Sequence, residues 1–260
     1  MLESFDKIRL PTGAEDASAS RRRASPGPGR SEMLIGPDHL DDGEAGVARE
    51  RWMTAQKSRP EELGALLAKV RACSACAAAL PLGPRPILQL STKATILIAS
   101  QAPGSKVHQT GIPFSDLSGD RLREWMGLST DIFYDEATVA IMPMGFCYPG
   151  RSAGGDAPPR TECVTLWRNQ LLQLLPAVRL TLLVGSYAQQ HVLGPGPITP
   201  RVRNFRDYLP DYFVLPHPSW RSRLWEQRNP WFAEDVLPAL RAAVERAGAG
   251  DRKRDSARSK

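Results

Sequence analysis

Residues 94–104 read ATILIASQAPG, an apolar run that ends in a loop of small and helix-breaking residues. A short run of this kind, rich in branched side chains, is typical of a strand buried inside a parallel sheet. Similar runs follow at Val139–Met144 and Leu180–Val184, and a fourth, Tyr212–Leu215, leads into residues 216–220, PHPSW. These four runs predict the strands of one sheet.

Helical patterns stand before and between the predicted strands. They cover Glu61–Ala72, Ser118–Gly127 with Ser118 as N-cap, Cys163–Leu175, Tyr187–Val192, and a final helix from Asn229 and Pro230 to about Ala247, kinked at Pro238. Strands that alternate with helices predict an α/β fold with a parallel sheet covered on both faces. Ligands of such sheets bind beyond the carboxyl ends of the strands, where SQAPG, GFCYPG and PHPSW follow three of them.

Composition and charge limit the classes of protein that the chain can form. The chain has 260 residues, 42% of them hydrophobic and 24% charged, as in ordinary globular proteins. No apolar run approaches the ~18 residues of a membrane span, and the acidic start does not resemble a secretory signal, so a cytoplasmic location is expected.

Both ends of the chain differ from the segment between them. Residues 1–60 carry ten basic and ten acidic side chains without a sustained apolar period, which predicts a disordered extension. Residues 247–260 carry five basic and two acidic side chains, a basic disordered tail that contributes +3 to the net charge of +6. A single folded domain is therefore expected over residues 61–246, and its mild positive charge permits a nucleic-acid partner without requiring one.

Four cysteines have the spacing of a metal site. Cys73 and Cys76 form a C-x2-C pair, and Cys147 and Cys163 follow after 70 and 15 intervening residues. Four thiolates predict zinc or an iron–sulfur cluster, and the count alone does not separate the two. The alternative is four inert buried cysteines, which behave as small hydrophobic residues.

Several motifs in this order resemble one known family. The C-x2-C pair, the loop Gln101-Ala102-Pro103-Gly104, the segment Gly111-Ile112-Pro113-Phe114, the two distant cysteines and His217-Pro218-Ser219 together resemble the iron–sulfur uracil-DNA glycosylases. The resemblance covers about residues 61–246. It implies a three-layer α/β/α sandwich with a short parallel sheet, a [4Fe–4S] cluster on Cys73, Cys76, Cys147 and Cys163, and removal of a base from DNA.

The resemblance also implies roles for single residues. Phe114 would stack on a flipped base, with Ala102, Pro103, Gly104 and Ser219 around it, and His217 would donate a hydrogen bond to the base oxygen as charge develops there. The loop that follows His217 mixes basic and apolar side chains suited to phosphate contact and to filling the vacated stack: Trp220, Arg221, Arg223 and Leu224.

Two positions depart from the family pattern. Gln101 is neutral where the iron–sulfur enzymes usually carry an acid, and Pro143 stands where they usually carry an Asn that reads the uracil edge. An amide can orient water but supplies no charge. A related branch, which also lacks the first acid, has an acidic residue just before a Ser-Gly helix start, and this makes Asp116 the best acidic candidate. The alternative is a carboxylate that only favours the start of the helix.

We therefore expect a monomeric base-excision enzyme that removes uracil or a related damaged base from DNA, with His217, Asp116 and Gln101 as catalytic candidates. One alternative is a catalytically weak nucleic-acid-binding module of the same fold. The other is a hydrolase that acts on a free nucleoside or nucleotide.

Overall fold

A computed structural model of the protein describes residues 58–249, and the predicted extension and basic tail lie almost entirely outside these residues. The strands are β1 (Ile96–Ala99), β2 (Val139–Ile141), β3 (Arg151–Ser152), β4 (Gly155–Asp156), β5 (Leu180–Val184) and β6 (Tyr212–Leu215). The central sheet has the order β2–β1–β5–β6 and all its neighbours are parallel, whereas β3 and β4 form a separate antiparallel hairpin. The α/β class predicted from the sequence is confirmed.

Helices flank the sheet. The α-helices are α1 (residues 58–71), α2 (Ser105–Thr110), α3 (Leu117–Met126), α4 (Thr130–Tyr134), α5 (Asn169–Gln173), α6 (Ser186–Leu193), α7 (Ile198–Arg203), α8 (Ser222–Arg228) and α9 (Leu237–Val244). Ala77–Ala79 and Phe205–Tyr208 form 3-10 turns, and Val164–Arg168, Phe232–Val236 and Glu245–Ala249 form π-helical segments.

Alternate side chains of β1 pack into two different layers. Ile96 and Ile98 are buried in a core that contains Trp125 of α3 and Leu240 of α9. Leu97 points the other way, into a second core that contains Val70 of α1. Since successive strand residues face opposite sides of a sheet, helices cover both faces and the fold has three layers.

The structure corrects several predicted elements. Strand β2 ends at Ile141 rather than Met144, although the N–H groups of Met142 and Met144 still bond to the carbonyl oxygens of Ile98 and Ser100, in and directly after β1. The predicted helix Cys163–Leu175 begins as a π-helical turn, and the last helix starts as another just before Pro238. The sequence patterns missed four helices, two strands and both 3-10 turns: α2, α4, α7, α8, β3, β4, Ala77–Ala79 and Phe205–Tyr208.

The backbone of Phe114 lies very close to Gly119 in the first turn of α3. Asp116, not Ser118, is the N-cap, and its Oδ1 accepts a hydrogen bond from the N–H of Gly119 at 3.0 Å. A Cβ at Gly119 would lie 1.7 Å from the carbonyl oxygen of Phe114, a distance that no side chain tolerates. Phe114 itself has φ +53, an uncommon conformation for a non-glycine residue. Gly119 is therefore required for the path of the chain at Phe114.

We predict that Gly119→Ala destabilises the protein by about 1–3 kcal/mol or more, because the methyl group must displace the Phe114 backbone. Urea unfolding of the variant and the wild type measures the effect. Gly64→Ala is the matched control, since Gly64 lies in α1 with nothing within 4 Å of an added Cβ. The control should keep or raise the stability. Equal stability of the Gly119 variant and the wild type would contradict the prediction.

Candidate active site

A cavity of about 420 Å³ lies beyond the carboxyl ends of β1, β2 and β6. It brings together ten residues that the sequence predicted for the site: Gln101, Ala102, Pro103, Gly104, Phe114, Asp116, His217, Ser219, Trp220 and Arg221. Arg223 and Leu224 do not line it. The loop 145–150 that follows β2 runs instead to a cysteine pocket and to the hairpin β3–β4.

Two contacts hold the backbone of His217 in place. A Cβ at Gly185, the residue after β5, would lie 3.4 Å from Cβ of His217, and Gly185 has φ +83. On the other side, Ser222 Oγ of α8 donates a hydrogen bond to the carbonyl oxygen of His217 at 2.5 Å. The histidine therefore projects into the cavity from a backbone held by β6 and α8.

Opposing effects act on the charge of His217. Burial lowers the pKa of this imidazole below its usual value, while the carboxylates of Asp116 and Asp156 act in the opposite direction. The lowered pKa favours a neutral ring near pH 7. A neutral imidazole carries one N–H, so it can donate a single hydrogen bond without bringing a positive charge into the cavity.

Phe114 forms part of the cavity wall rather than of the core alone. It is half-buried, and its ring meets that of Phe133 edge-on with centroids 6.1 Å apart. Its carbonyl oxygen accepts hydrogen bonds from Tyr134 Oη at 3.1 Å and Arg123 Nη1 at 3.3 Å. These bonds hold a strained backbone in place and leave the ring accessible from the cavity.

Two carboxylates lie close to Gly104, on the side where a Cβ would stand. A Cβ at Gly104 would lie 3.5 Å from Oδ2 of Asp156 and 3.9 Å from Oδ2 of Asp116. The other oxygen of Asp116 caps α3, so Asp116 favours the start of the helix, as the alternative interpretation expected. It also lines the cavity. Sequence reasoning missed Asp156 and its neighbour Arg151. The two-residue turn Ala153-Gly154 between β3 and β4 is compatible with a hairpin, but nothing in the sequence indicates that this hairpin lines the cavity.

Both departures from the family pattern lie in the cavity wall. Gln101 turns its amide toward the hairpin, where Nε2 donates to the carbonyl oxygen of Ala157 at 3.4 Å. Pro143 lines the same cavity beside the apolar side chains of Ile87 and Ile141. This part of the wall therefore offers no side-chain hydrogen bond to a bound ring.

Residues 217–228 join the cavity to an exposed surface. Trp220 is 73% exposed and Leu224 is 55% exposed, as expected of side chains that enter a partner rather than the core. Trp225, in contrast, packs against Trp231 and Phe232. Residues 222–228 form α8, so the basic and apolar side chains are presented by a helix start and not by a long loop.

The mouth of the cavity is braced by charged side chains. Arg121 of α3 donates to the carbonyl oxygen of Ser219 at 3.2 Å and forms an ion pair with Glu226 of α8 at 2.5 Å. Arg221 donates to the carbonyl oxygen of Gly154 at the tip of the hairpin. The loop after β6 is thus tied to α3 on one side and to the hairpin on the other.

All four cysteines line one small pocket next to Phe146 and Trp167. They are free thiols, and burial raises the pKa of Cys163 to about 11, with the charges of the other three acting in the same direction. In the described part of the chain, no group of three or more His, Cys, Asp or Glu side chains is arranged around a single metal ion. The structure thus brings the four predicted cysteines to the wall of one pocket.

Each of these thiols faces an N–H donor. Trp167 Nε1 donates to Cys73 Sγ and the backbone N–H of Phe146 donates to Cys163 Sγ, both at 3.4 Å. The guanidinium of Arg160 lies near Cys76 and the backbone N–H of Arg85 lies near Cys147, and each lowers the pKa of its thiol against the effect of burial. Donors of this kind stabilise thiolates that ligate a metal centre.

The fold and cavity define an α/β protein with a ring-sized site beyond its parallel strands and an exposed aromatic and basic rim. A family model described as the uracil DNA glycosylase superfamily matches residues 89–241, more than half of the chain. The chain therefore belongs to the uracil DNA glycosylase superfamily. The matched segment includes Cys147 and Cys163 and begins after Cys73 and Cys76. Over residues 58–249, no helix has the length and apolarity that a membrane crossing requires.

The histidines of the described chain predict how stability depends on pH. Burial lowers the pKa of His108, His191 and His217, so the unfolded chain binds more protons than the folded one as the pH falls below about 6.5. The thermal midpoint should therefore decrease between pH 7.5 and pH 5.5, as measured by circular dichroism. A midpoint that rises over this range would contradict the prediction.

Proposed function

We propose that the protein is a DNA glycosylase that hydrolyses the N-glycosidic bond between deoxyribose and uracil or a related damaged base, as in base-excision repair. The observation that supports this most strongly is the position of His217. Its ring enters a cavity of about 420 Å³ that Phe114 and two carboxylates also line. Superfamily membership supports the same reaction class.

The chemistry follows from these groups. Phe114 would stack on the ring of a base turned out of the helix, and stacking of this kind accepts any planar base. As the glycosidic bond breaks, negative charge collects on the base and positive charge on the sugar. The N–H of His217 would stabilise the first charge, and a carboxylate near Gly104 would stabilise the second.

DNA would approach the rim formed by the loop after β6. Trp220 and Leu224 are exposed apolar side chains that can fill the space left by the flipped base. Arg223 is exposed on α8 and remains a candidate for phosphate contact. Arg221 is already bonded to Gly154, so its first role would be to hold the hairpin, with phosphate contact as an additional role.

The choice of base would differ from that of enzymes that read uracil with an Asn. Pro143 occupies that position here and contributes no hydrogen bond, next to Ile87 and Ile141. Selectivity would then depend on the shape of the apolar wall and on the polar groups opposite it. For this reason a panel of damaged bases is needed in any test of activity, in both single-stranded and double-stranded DNA.

We also propose that Cys73, Cys76, Cys147 and Cys163 hold a [4Fe–4S] cluster. When bound, such a cluster supplies a rigid link between four thiolates distant in sequence. The shared pocket and the four N–H donors support this ligand set.

We predict that His217→Ala lowers the rate of base release by about 10²–10³, because one hydrogen-bond donor to the leaving group is lost. DNA binding should survive, since the exposed rim is unchanged. Single-turnover base release and a binding titration measure the two effects. His191→Ala is the control, because His191 lies on α6 outside the cavity.

The same assay separates the alternatives. Full activity of the His217 variant on every substrate that the wild type accepts would contradict the mechanism. Salt-dependent DNA binding without release of any base would favour the nucleic-acid-binding module. Release from free nucleosides or nucleotides without DNA binding would favour the hydrolase.

A separate prediction concerns the cysteines. Anaerobically purified protein should be brown and contain iron and sulfide, and Cys147→Ser should bleach it and lower its thermal midpoint. Thr165→Ser, an exposed substitution close to Cys163 in sequence, should leave colour and iron content unchanged. A colourless wild-type protein with stoichiometric zinc would contradict the cluster.

A further inference from the structure

We propose that Asp156 is a catalytic carboxylate of this site, placed beside the sugar of the flipped nucleotide and the water that attacks it. The proposal rests on the glycosylase function proposed above. In it, Asp156 supplies the negative charge that the neutral side chain of Gln101 does not. Asp156 lies on the hairpin β3–β4, outside the sheet, and no sequence motif marks it.

The position of Asp156 in the cavity is the first support. Its Oδ2 would lie 3.5 Å from a Cβ at Gly104, in the loop that follows β1. Asp156 also lines the cavity that contains His217, and its charge acts on the imidazole. The carboxylate therefore shares the cavity with His217 and, like Asp116, lies close enough for its charge to act on the ring.

Gln101 connects the two segments. Its Nε2 bonds to the carbonyl oxygen of Ala157, the residue directly after Asp156. Gln101, which stands where the family usually has an acid, thus contacts the segment that carries the carboxylate of Asp156. The N–H of Ala157 bonds to the carbonyl oxygen of Gly150 at 2.9 Å and closes the base of the hairpin. Asp156 is fixed in the loop region where a carboxylate at position 101 would stand.

The two carboxylates differ in what their oxygens already do. Oδ1 of Asp116 accepts the N–H of Gly119 and caps α3. The carboxylate of Asp156 accepts no hydrogen bond from residues 58–249, so both of its oxygens are available to water or to the sugar. Asp116 is thus a structural cap that adds charge to the wall, and Asp156 is the carboxylate free to take a proton.

The hairpin is attached to the loop that follows β6. Arg221 donates to the carbonyl oxygen of Gly154, and Gly155 has φ +129. A Cβ at Gly155 would lie 2.7 Å from Nη1 of Arg221, so glycine permits this close approach. The loop that carries His217 and Trp220 therefore also holds the hairpin that carries Asp156.

The reaction can be written with these groups. The C1′–N bond breaks, and its electron pair leaves with the base nitrogen, on the side of His217. The oxygen of one water forms a bond to C1′, and one proton of that water passes to Asp156 and then to solvent. The base nitrogen takes up one proton from solvent. The products are the free base and an abasic sugar with a new hydroxyl group.

The first experiment measures single-turnover base release from the DNA substrate that the wild type accepts. Asp156→Asn should lower the rate by about 10²–10⁴, the range for loss of a general base. Asp211→Asn, a charge-matched change beside the amino end of β6, should have no effect. Adding Gln101→Glu to Asp156→Asn should restore part of the lost rate, because it returns a carboxylate to the same wall.

The second experiment does not depend on turnover. Wild-type protein should bind DNA with a cationic pyrrolidine abasic site more tightly than DNA with a neutral tetrahydrofuran abasic site, because the positive nitrogen mimics the charged sugar. Asp156→Asn should reduce this preference about tenfold or more, which corresponds to one lost charge contact. Circular dichroism confirms that each variant is folded.

Three results would overturn the proposal. If Asp156→Asn keeps both base release and the preference for the cationic site, while Asp116→Asn loses them, Asp116 is the catalytic carboxylate and the glycosylase function stands. If Asp156→Asn loses base release but keeps the cation preference, the residue acts on the hairpin and not on the sugar. If the wild type releases no base and does not distinguish the two abasic sites, the glycosylase function fails as well.

Discussion

The structure depends on the place of β1 at the centre of a buried parallel sheet. Strand β1 pairs with β2 on one side and with β5 on the other, and its four residues are fully enclosed. Because parallel strands all end at the same edge, the loops after β1, β2 and β6 must meet there. The cavity follows from this arrangement of backbone, before any catalytic side chain is considered.

The strands could be predicted because their signal is local. Leu180–Val184 and Tyr212–Leu215 were predicted with the bounds that the structure has, since each is a short apolar run with turn residues beside it. The elements that were missed are short or lie in polar sequence. Helix α2 follows Pro103 and Gly104, and each strand of the hairpin has two residues. Neither a helix of six residues nor a strand of two is long enough to show a hydrophobic periodicity in the sequence.

Sequence reasoning could predict only those residues of the site that belong to a recognisable sequence motif. His217, Phe114 and Asp116 lie in the cavity as expected, but their roles stay predictions. Asp156 could not be predicted, because its importance depends on where a hairpin closes over Gly104 and not on its neighbours in sequence. Ser118 and Asp116 are both ordinary N-cap residues, and the structure makes Asp116 the cap, since its backbone is extended and its Oδ1 accepts the N–H of Gly119.

The hairpin β3–β4 has a consequence for how such a domain can diversify. The floor of the cavity consists of strand ends, where any change in length would shift the register of the whole sheet. Its roof is the hairpin β3–β4, whose base is closed by the backbone bond between Ala157 and Gly150, and adding residues to the turn of such a hairpin costs little chain entropy. A hairpin of different length can therefore reshape the cavity around Asp156 while the strand ends beneath it keep their positions.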